Sequence, residues 1–271
     1  MYPTLGDLLG TDLPVPTHEF FVGLGVLCAL AIFVVQARHT GQTDERLLYV
    51  VTGAIFGGAV FMRLGTWLQD ADLRTNATLV EQWLYGNRSI LGGLVGAWLG
   101  VHVAKRLCGY RLRTGDLFAP AVALGMAVGR WGCLLTELPG TPNPLGFGPV
   151  LDEATAQRLG APAGVALHPS FGYEIAFHLI AFVVLWSVLR DRLPPGESFV
   201  LYVAGYAVFR FLVEFVRGNE VAWWGLTRPQ LFLALTIPLL LARVVWQARR
   251  GSYVLRPRRR EVAHSTRQES W

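Results

Sequence analysis

The strongest constraint on this chain is a series of long apolar runs that recurs from one end to the other. Seven runs lie at 20–36, 47–68, 90–104, 117–135, 171–189, 199–215 and 230–246. Most have about the length with which an α-helix crosses the hydrocarbon core of a bilayer. Because 52% of the 271 residues are hydrophobic and only 16% are charged, the chain exceeds the apolar content of a soluble domain. The sequence predicts an all-α integral membrane protein with about seven transmembrane helices.

The basic residues predict how these helices cross the membrane. Short cytoplasmic loops are enriched in Lys and Arg, and 16 of the 24 Lys and Arg residues follow runs one, three, five and seven. Only five follow runs two, four and six, whose loops would lie on the other side of the membrane. We therefore expect the N-terminus outside and the C-terminus in the cytoplasm. Residues 1–250 would form the transmembrane domain, with an extracytoplasmic loop at about 136–168, and residues 251–271 a basic, disordered tail.

Several classes of function lack their usual sequence features. The sequence pI is near 9.4, but the basic tail directly follows a membrane helix, where anionic lipid headgroups attract it, so membrane lipid is the expected partner and nucleic acid is not. A retinal pigment needs a lysine inside the membrane, whereas Lys105 is the only lysine and lies at a loop edge. Phosphate-loop and HExxH motifs are missing from the sequence, and three scattered cysteines do not form a zinc motif. The sequence predicts no metal site and no cofactor.

Three arginines fall well inside the apolar runs, namely Arg63, Arg130 and Arg210, whereas Arg243 lies near the cytoplasmic end predicted for the seventh run. A charge at the bilayer centre costs on the order of 3 kcal/mol, so each arginine needs a partner, a water-filled cavity or an anionic ligand. Tyr206, Arg210 and Glu214 follow one another at intervals of four residues, which places them on one helical face. We expect Arg210 to pair with Glu214, either as part of a functional site or only to fix helix packing.

Arg130 has no acidic neighbour in its own helix before Glu137, and glycines at 125, 129 and 132 surround it. An unpaired arginine in a glycine-lined site suits a phosphate ligand, because guanidinium offers two parallel donors to two oxygens. The alternative is a structural partner from another helix. The long polar loop that follows ends in HPSFGYE (168–174), where His168, Tyr173 and Glu174 supply titratable groups.

Five segments are considered together, namely SILGGLVG (89–96), TGDLFAPAVALGMAVGRWGC (114–133), HPSFGYE (168–174), GYAVFRFLVEFVR (205–217) and the PQ pair at 229–230. In order and spacing, they resemble the prolipoprotein diacylglyceryl transferases of bacterial inner membranes. The resemblance runs from the first helix to the seventh. It implies a multi-pass transferase of the bacterial cytoplasmic membrane that moves diacylglyceryl from phosphatidylglycerol to the lipobox cysteine thiol of prolipoproteins and releases glycerol phosphate.

The resemblance also implies roles for individual residues. Arg210, Glu214, Tyr206 and His168 would be catalytic. The residues implied for binding phosphatidylglycerol are Arg130, Arg63, Gly92, Gly93, Cys133 and Gly140.

Three positions depart from the family pattern, and in one of them Thr136-Glu137 replaces a downstream Asn-Gly-Glu. Leu91 stands where the best-studied branch has a histidine that is a candidate base, and Cys133 stands where that branch has asparagine. A leucine cannot accept a proton, so a base role would move to His168 or Glu214, or the substrate thiol would ionise unaided. The alternative function is a divergent paralogue that binds anionic phospholipid without transferring anything to lipoproteins.

Overall fold

The computed structural model describes residues 1–70 and 89–254. The helices in this part of the chain are α1 (Leu5–Leu9), α2 (Thr17–Thr40), α3 (Arg46–Asp70), α4 (Ile90–Cys108), α5 (Gly115–Thr136), α6 (Glu153–Leu159), α7 (Ser170–Val183), α8 (Glu197–Val213) and α9 (Arg228–Arg249). A π-helical turn, Val184–Val188, extends α7, and a 3₁₀ turn, Glu214–Val216, extends α8. Strand β1 (Val221–Trp223) pairs antiparallel with β2 (Leu226–Thr227).

Seven of the described helices are long and apolar enough to cross a membrane. They are α2, α3, α4, α5, α7, α8 and α9. Each coincides with one of the seven apolar runs, and in α7 and α8 the run continues into the turn that extends the helix. The prediction of an all-α, multi-pass membrane protein is therefore confirmed. The direction of the crossings stays a prediction, and the predicted tail at 251–271 lies outside the described residues from 255 onward.

Local sequence explains where the helices begin and end. Before α9, the Thr227 N–H donates to Oε1 of Gln230 at 2.9 Å, and the Gln230 N–H donates to Oγ1 of Thr227 at 3.4 Å. This reciprocal pair satisfies two backbone N–H groups that a helix N-terminus leaves unpaired. Helix α4 starts in a similar way, because Oγ of Ser89 accepts from the Gly92 N–H at 3.1 Å. It ends at Gly109, whose φ of 69° lies in the left-handed region that favours glycine.

The chain divides into two units, of which the first contains Met1–His39 and the residues from Arg113 onward. In this unit α2 crosses α5 through glycines. A Cβ on Gly25 would lie 2.6 Å from the carbonyl oxygen of Gly125, so any side chain there would collide with the backbone of α5. Gly132 lies equally close to α2, because a Cβ on it would be 3.0 Å from Cα of His18. Such contacts let membrane helices pack at short range.

Helix α5 packs against α7 and α8, and α8 packs against α9. The buried contact between α5, α7 and α8 includes Ala119 and Ala123 of α5, Leu185 of the π-helical turn, and Tyr202 of α8. Small residues on α5 allow the bulkier side chains of its neighbours to approach its backbone. This packing holds α5, α7 and α8 side by side, and the polar residues of the candidate site project from these three helices.

The sequence predicts a long polar loop between α5 and α7, and in the structure this loop contains a short helix, α6. Leu151, Ala156 and Leu167 form a small buried core beneath α6. Backbone hydrogen bonds tie the loop together, from the Asn143 N–H to the Ala166 carbonyl at 2.8 Å and from the His168 N–H to the Thr141 carbonyl at 2.9 Å. The segment leading into α7 is therefore held by defined contacts.

In the second unit, Thr40–Leu112, the described residues include α3 and α4. Glycines line the contact between these two helices, and a Cβ on Gly92 would lie 3.0 Å from Cα of Gly65. A Cβ on Gly93 would lie 3.6 Å from Cβ of Met62, which is ordinary van der Waals contact. The glycine-rich composition of α4 is thus accounted for by close packing on α3.

Replacing Gly25 with alanine tests the α2–α5 contact, and Gly23 on the same helix is the matched control. Because rigid backbone atoms surround the new Cβ at position 25, we expect Gly25→Ala to lower the thermal unfolding midpoint in detergent by roughly 3–10 °C. A Cβ at Gly23 meets nothing within 4 Å, so Gly23→Ala should stay close to wild type. Equal midpoints for the two variants would contradict the packing described.

Candidate active site

The candidate site is organised around the carboxylate of Glu174, which lies on α7 and has no exposed surface. Its Oε2 lies 2.5 Å from Nη2 of Arg130 on α5, and its Oε1 accepts from Nη1 of Arg217, beyond the end of α8, at 2.8 Å. The Tyr206 hydroxyl donates to Oε2 at 3.3 Å. One carboxylate therefore joins α5, α7 and the segment that follows α8.

A second buried carboxylate, that of Glu214, lies in the 3₁₀ turn at the end of α8. Its Oε2 accepts from Nη1 of Arg210, one turn earlier. Its Oε1 accepts from Nδ2 of Asn219 at 2.7 Å and from the Thr227 hydroxyl at 2.8 Å. Glu214 is 2% exposed, and both of its oxygens are hydrogen-bonded, so it fixes the position of Arg210.

We call Arg130, Arg210, Arg217, Glu174 and Glu214 the arginine cluster. With both carboxylates ionised, these five side chains carry one positive charge in excess. The Nε–H of Arg130 is buried and has no hydrogen-bond partner among the described residues. A buried donor without an acceptor is costly, and an anionic ligand could satisfy both the donor and the surplus charge.

Aromatic side chains surround the cluster. The ring of Phe171 lies beneath both guanidinium groups that bind Glu174, with its centroid 4.4 Å from Cζ of Arg217 and 5.9 Å from Cζ of Arg130. Nη2 of Arg130 also lies 3.4 Å from the Tyr206 hydroxyl. These rings exclude water from the charged groups, which strengthens electrostatic interactions inside the cluster.

The structure confirms some expected contacts and corrects others. Arg210 pairs with Glu214 as expected. The Tyr206 hydroxyl, one turn before Arg210, contacts Arg130 and Glu174 instead of Arg210. The prediction that Arg130 is unpaired is wrong, because Glu174 reaches it from α7. The alternative considered for Arg130, a partner from another helix, is the arrangement observed.

Three other predicted residues lie near the ends of α5 and α7. Sγ of Cys133 lies 3.7 Å from Nη1 of Arg130, beside the cluster. Nδ1 of His168 lies 3.1 Å from the Tyr173 hydroxyl. A Cβ on Gly140 would lie 2.7 Å from the His168 carbonyl oxygen, so this glycine allows the loop to pass against neighbouring backbone. Their proposed roles in catalysis and lipid binding stay predictions.

The remaining predicted binding residues, Arg63, Gly92 and Gly93, belong to the second unit. Arg63 lies on α3 and both glycines lie on α4, where they pack against α3. The arginine cluster is built from the first unit alone. A role for these three residues in binding lipid stays a prediction.

The sequence pointed to Glu174 as a titratable group but not to its central position or to its pairing with Arg217. The available signal was the polar series Ser170, Glu174 and His178, which recurs every four residues on an otherwise apolar helix. All three are fully buried. The partner across the helix interface could not be read from one sequence, because spacing within a helix specifies a face but not which neighbouring helix meets it.

The fold and the site together define a multi-pass membrane protein with a buried, net cationic cluster between its helices. A family model described as prolipoprotein diacylglyceryl transferase matches residues 8–247. The chain therefore belongs to the prolipoprotein diacylglyceryl transferase family, and it is a transferase.

Similar proteins carry matching names. The Pseudomonas aeruginosa protein named phosphatidylglycerol–prolipoprotein diacylglyceryl transferase is 31% identical over 274 residues, which cover 93% of this chain and 97% of that protein. The transferase 2 of the same name from Clostridium perfringens is 27% identical over 255 residues, covering 86% and 90%. The corresponding transferase 2 of Streptomyces coelicolor is 31% identical over 238 residues, covering 80% and 71%.

The central position of Glu174 predicts a large stability effect for Glu174→Gln. This change removes the anionic partner of Arg130, which is buried, and of Arg217, which is 15% exposed. Breaking a buried pair in this way costs about 3–5 kcal/mol. We expect the unfolding midpoint in detergent to fall by roughly 6–20 °C. Glu153→Gln, at an exposed position on α6, is the control and should change the midpoint little. A midpoint for Glu174→Gln as high as that of Glu153→Gln would contradict the central role of Glu174.

Proposed function

We propose that this chain is a phosphatidylglycerol–prolipoprotein diacylglyceryl transferase of the bacterial cytoplasmic membrane. It would move diacylglyceryl from phosphatidylglycerol to the thiol of a lipobox cysteine. The observation that carries the proposal is the arginine cluster, a set of buried or largely buried guanidinium groups with one surplus positive charge in a chain of this family.

The chemistry of the cluster suits a phosphodiester headgroup. A phosphatidylglycerol molecule carries one negative charge, which matches the single surplus charge of the cluster. The unpartnered Nε–H of Arg130 provides a donor for a phosphate oxygen, and guanidinium binds phosphate with parallel hydrogen bonds. The two carboxylates hold the arginines in place before the lipid binds, so little reorganisation would be needed.

In the proposed reaction, the thiolate sulfur of the lipobox cysteine attacks the glycerol carbon of the diacylglyceryl group that is bonded to the phosphate oxygen. A C–S bond forms and the C–O bond breaks. The bonding electrons pass to the phosphate oxygen, and glycerol phosphate leaves. Negative charge grows on that oxygen as the bond breaks, and the fixed positive charges of Arg130 and Arg210 would stabilise it.

The hydrogen bonds to the carboxylates divide the roles within the cluster. Glu214 accepts three hydrogen bonds, from Arg210, Asn219 and Thr227, which leaves it poorly placed to take a proton. We therefore assign Glu214 to positioning Arg210, and Tyr206 to positioning Arg130 and Glu174. Of the two bases expected from the sequence, Glu214 is the weaker candidate.

A transfer assay with phosphatidylglycerol vesicles and a lipobox peptide tests the proposal. Wild type should form a thioether-linked diacylglyceryl peptide. Arg130→Lys keeps the charge but loses the planar fork of donors, and Arg210→Gln removes the charge. We expect each to lower the turnover rate by about 10²–10³-fold, the usual cost of removing one transition-state donor. Mass spectrometry of the peptide and of the released glycerol phosphate measures the rate.

Arg113→Gln is the matched control, because the Arg113 side chain is 65% exposed and lies at the start of α5. It should retain activity near that of wild type. If wild type binds phosphatidylglycerol but modifies no peptide under conditions where a relative does, the transferase assignment fails and the lipid-binding paralogue replaces it. Full activity in both cluster variants would contradict the roles of the arginines.

A further inference from the structure

A second group of reactive side chains adjoins the arginine cluster. It consists of His18 at the start of α2, Cys133 in the last turn of α5 and Glu137 just beyond α5. One ring nitrogen of His18, Sγ of Cys133 and one carboxylate oxygen of Glu137 all lie within 4.8 Å of one another. Nε2 of His18 lies 3.7 Å from Oε1 of Glu137, and Nδ1 lies 3.9 Å from Oε1 of Glu19. The imidazole thus has a carboxylate near each of its ring nitrogens.

The position of His18 follows from the close approach of α2 to α5. Gly132 has no side chain to separate the two helices, and a Cβ there would lie 3.0 Å from both Cα and the carbonyl oxygen of His18. Cys133, the next residue on α5, lies 3.7 Å from Nη1 of Arg130. The thiol of Cys133 therefore lies close to both the imidazole of His18 and the arginine cluster.

Other imidazoles in the described part of the first unit are less suited to meet a substrate. His178 is fully buried, and its Nδ1 lies 3.0 Å from the Tyr202 hydroxyl. His168 is engaged with the Tyr173 hydroxyl. His39 lies at the opposite end of α2 from His18 and pairs with Asp191. The His18 side chain is 29% exposed, so it combines access with a position beside the cluster.

We propose that His18 is the general base that takes the proton from the lipobox thiol, and that Glu137 stabilises the imidazolium ion which forms. This inference rests on the transferase function proposed above. The position of His18 beside the arginine cluster fits the reaction, because the phosphate bound by the arginines and the attacked carbon are neighbours along the lipid. A base for the incoming sulfur must then lie a short distance beyond the guanidinium groups, as His18 does.

The proposed step balances in protons and electrons. The thiol proton passes to a ring nitrogen of His18, and the sulfur electron pair forms the C–S bond to the glycerol carbon. The C–O electrons leave with glycerol phosphate. The imidazolium then returns its proton to water or to the departing phosphate. Glu137 and Glu19 supply negative charge around the imidazolium, while Arg130 supplies positive charge beside Cys133.

A comparison of two acceptor peptides tests His18 as the base. One peptide carries the lipobox cysteine, and the other carries selenocysteine, whose selenol is already ionised at neutral pH and needs no base. We expect His18→Gln to lower kcat/KM for the cysteine peptide by about 10²–10⁴-fold, the usual contribution of a general base. With the selenocysteine peptide the variant should remain within roughly tenfold of wild type. His39→Gln, the same change at the other end of α2, should behave as wild type with both peptides.

The outcomes separate this inference from the function on which it rests. If wild type modifies neither peptide, the transferase function itself fails. If wild type is active and His18→Gln matches it with cysteine, His18 is not the base. Equal losses with both peptides would assign His18 a structural role and overturn the proposal. So would stoichiometric zinc in purified wild type that is lost in His18→Gln, because the metal would occupy the imidazole that the proposal needs.

Discussion

The contact on which the site depends is the buried pairing of Glu174 with Arg130 and Arg217. In an apolar protein interior, neither a single carboxylate nor an isolated guanidinium is stable, because desolvation outweighs any gain from burial. The Glu174 carboxylate provides an anionic partner for two arginines at once, and it links α5, α7 and the end of α8. Glu214 does the same for Arg210 and ties the start of α9 to the end of α8 through Thr227. The same ion pairs therefore connect the helices and set the charge of the site.

The two carboxylates hold the three guanidinium groups in place but neutralise only two of them. One positive charge therefore remains inside the protein. A fixed cation that needs no reorganisation is what a developing phosphate anion requires. The hydrogen bonds that fill both oxygens of Glu214 also explain why proton transfer is better assigned to a residue outside the cluster, at the α2–α5 contact.

The sequence was sufficient for the helices and for part of the site. Apolar runs of membrane length located the seven candidate spanning helices found in residues 1–70 and 89–254, because hydrophobic length is a property of each segment alone. The Arg210–Glu214 pair followed from spacing within α8 for the same reason. The partner of Arg130 could not be predicted, since Glu174 lies 44 positions later on a different helix. A single sequence does not show which surfaces of two helices contact each other. The approach of His18 to Cys133 was missed for that reason too, and it depends on the absence of a side chain at Gly132.

The central claim is that the surplus charge of the arginine cluster binds an anionic lipid headgroup inside the protein. Native mass spectrometry of the purified chain, titrated with phosphatidylglycerol and with zwitterionic phosphatidylethanolamine, measures this binding directly. The account predicts that wild type and Arg113→Gln retain phosphatidylglycerol in preference to phosphatidylethanolamine, and that Arg210→Gln loses the preference. Equal retention of phosphatidylglycerol by Arg210→Gln and wild type would contradict it.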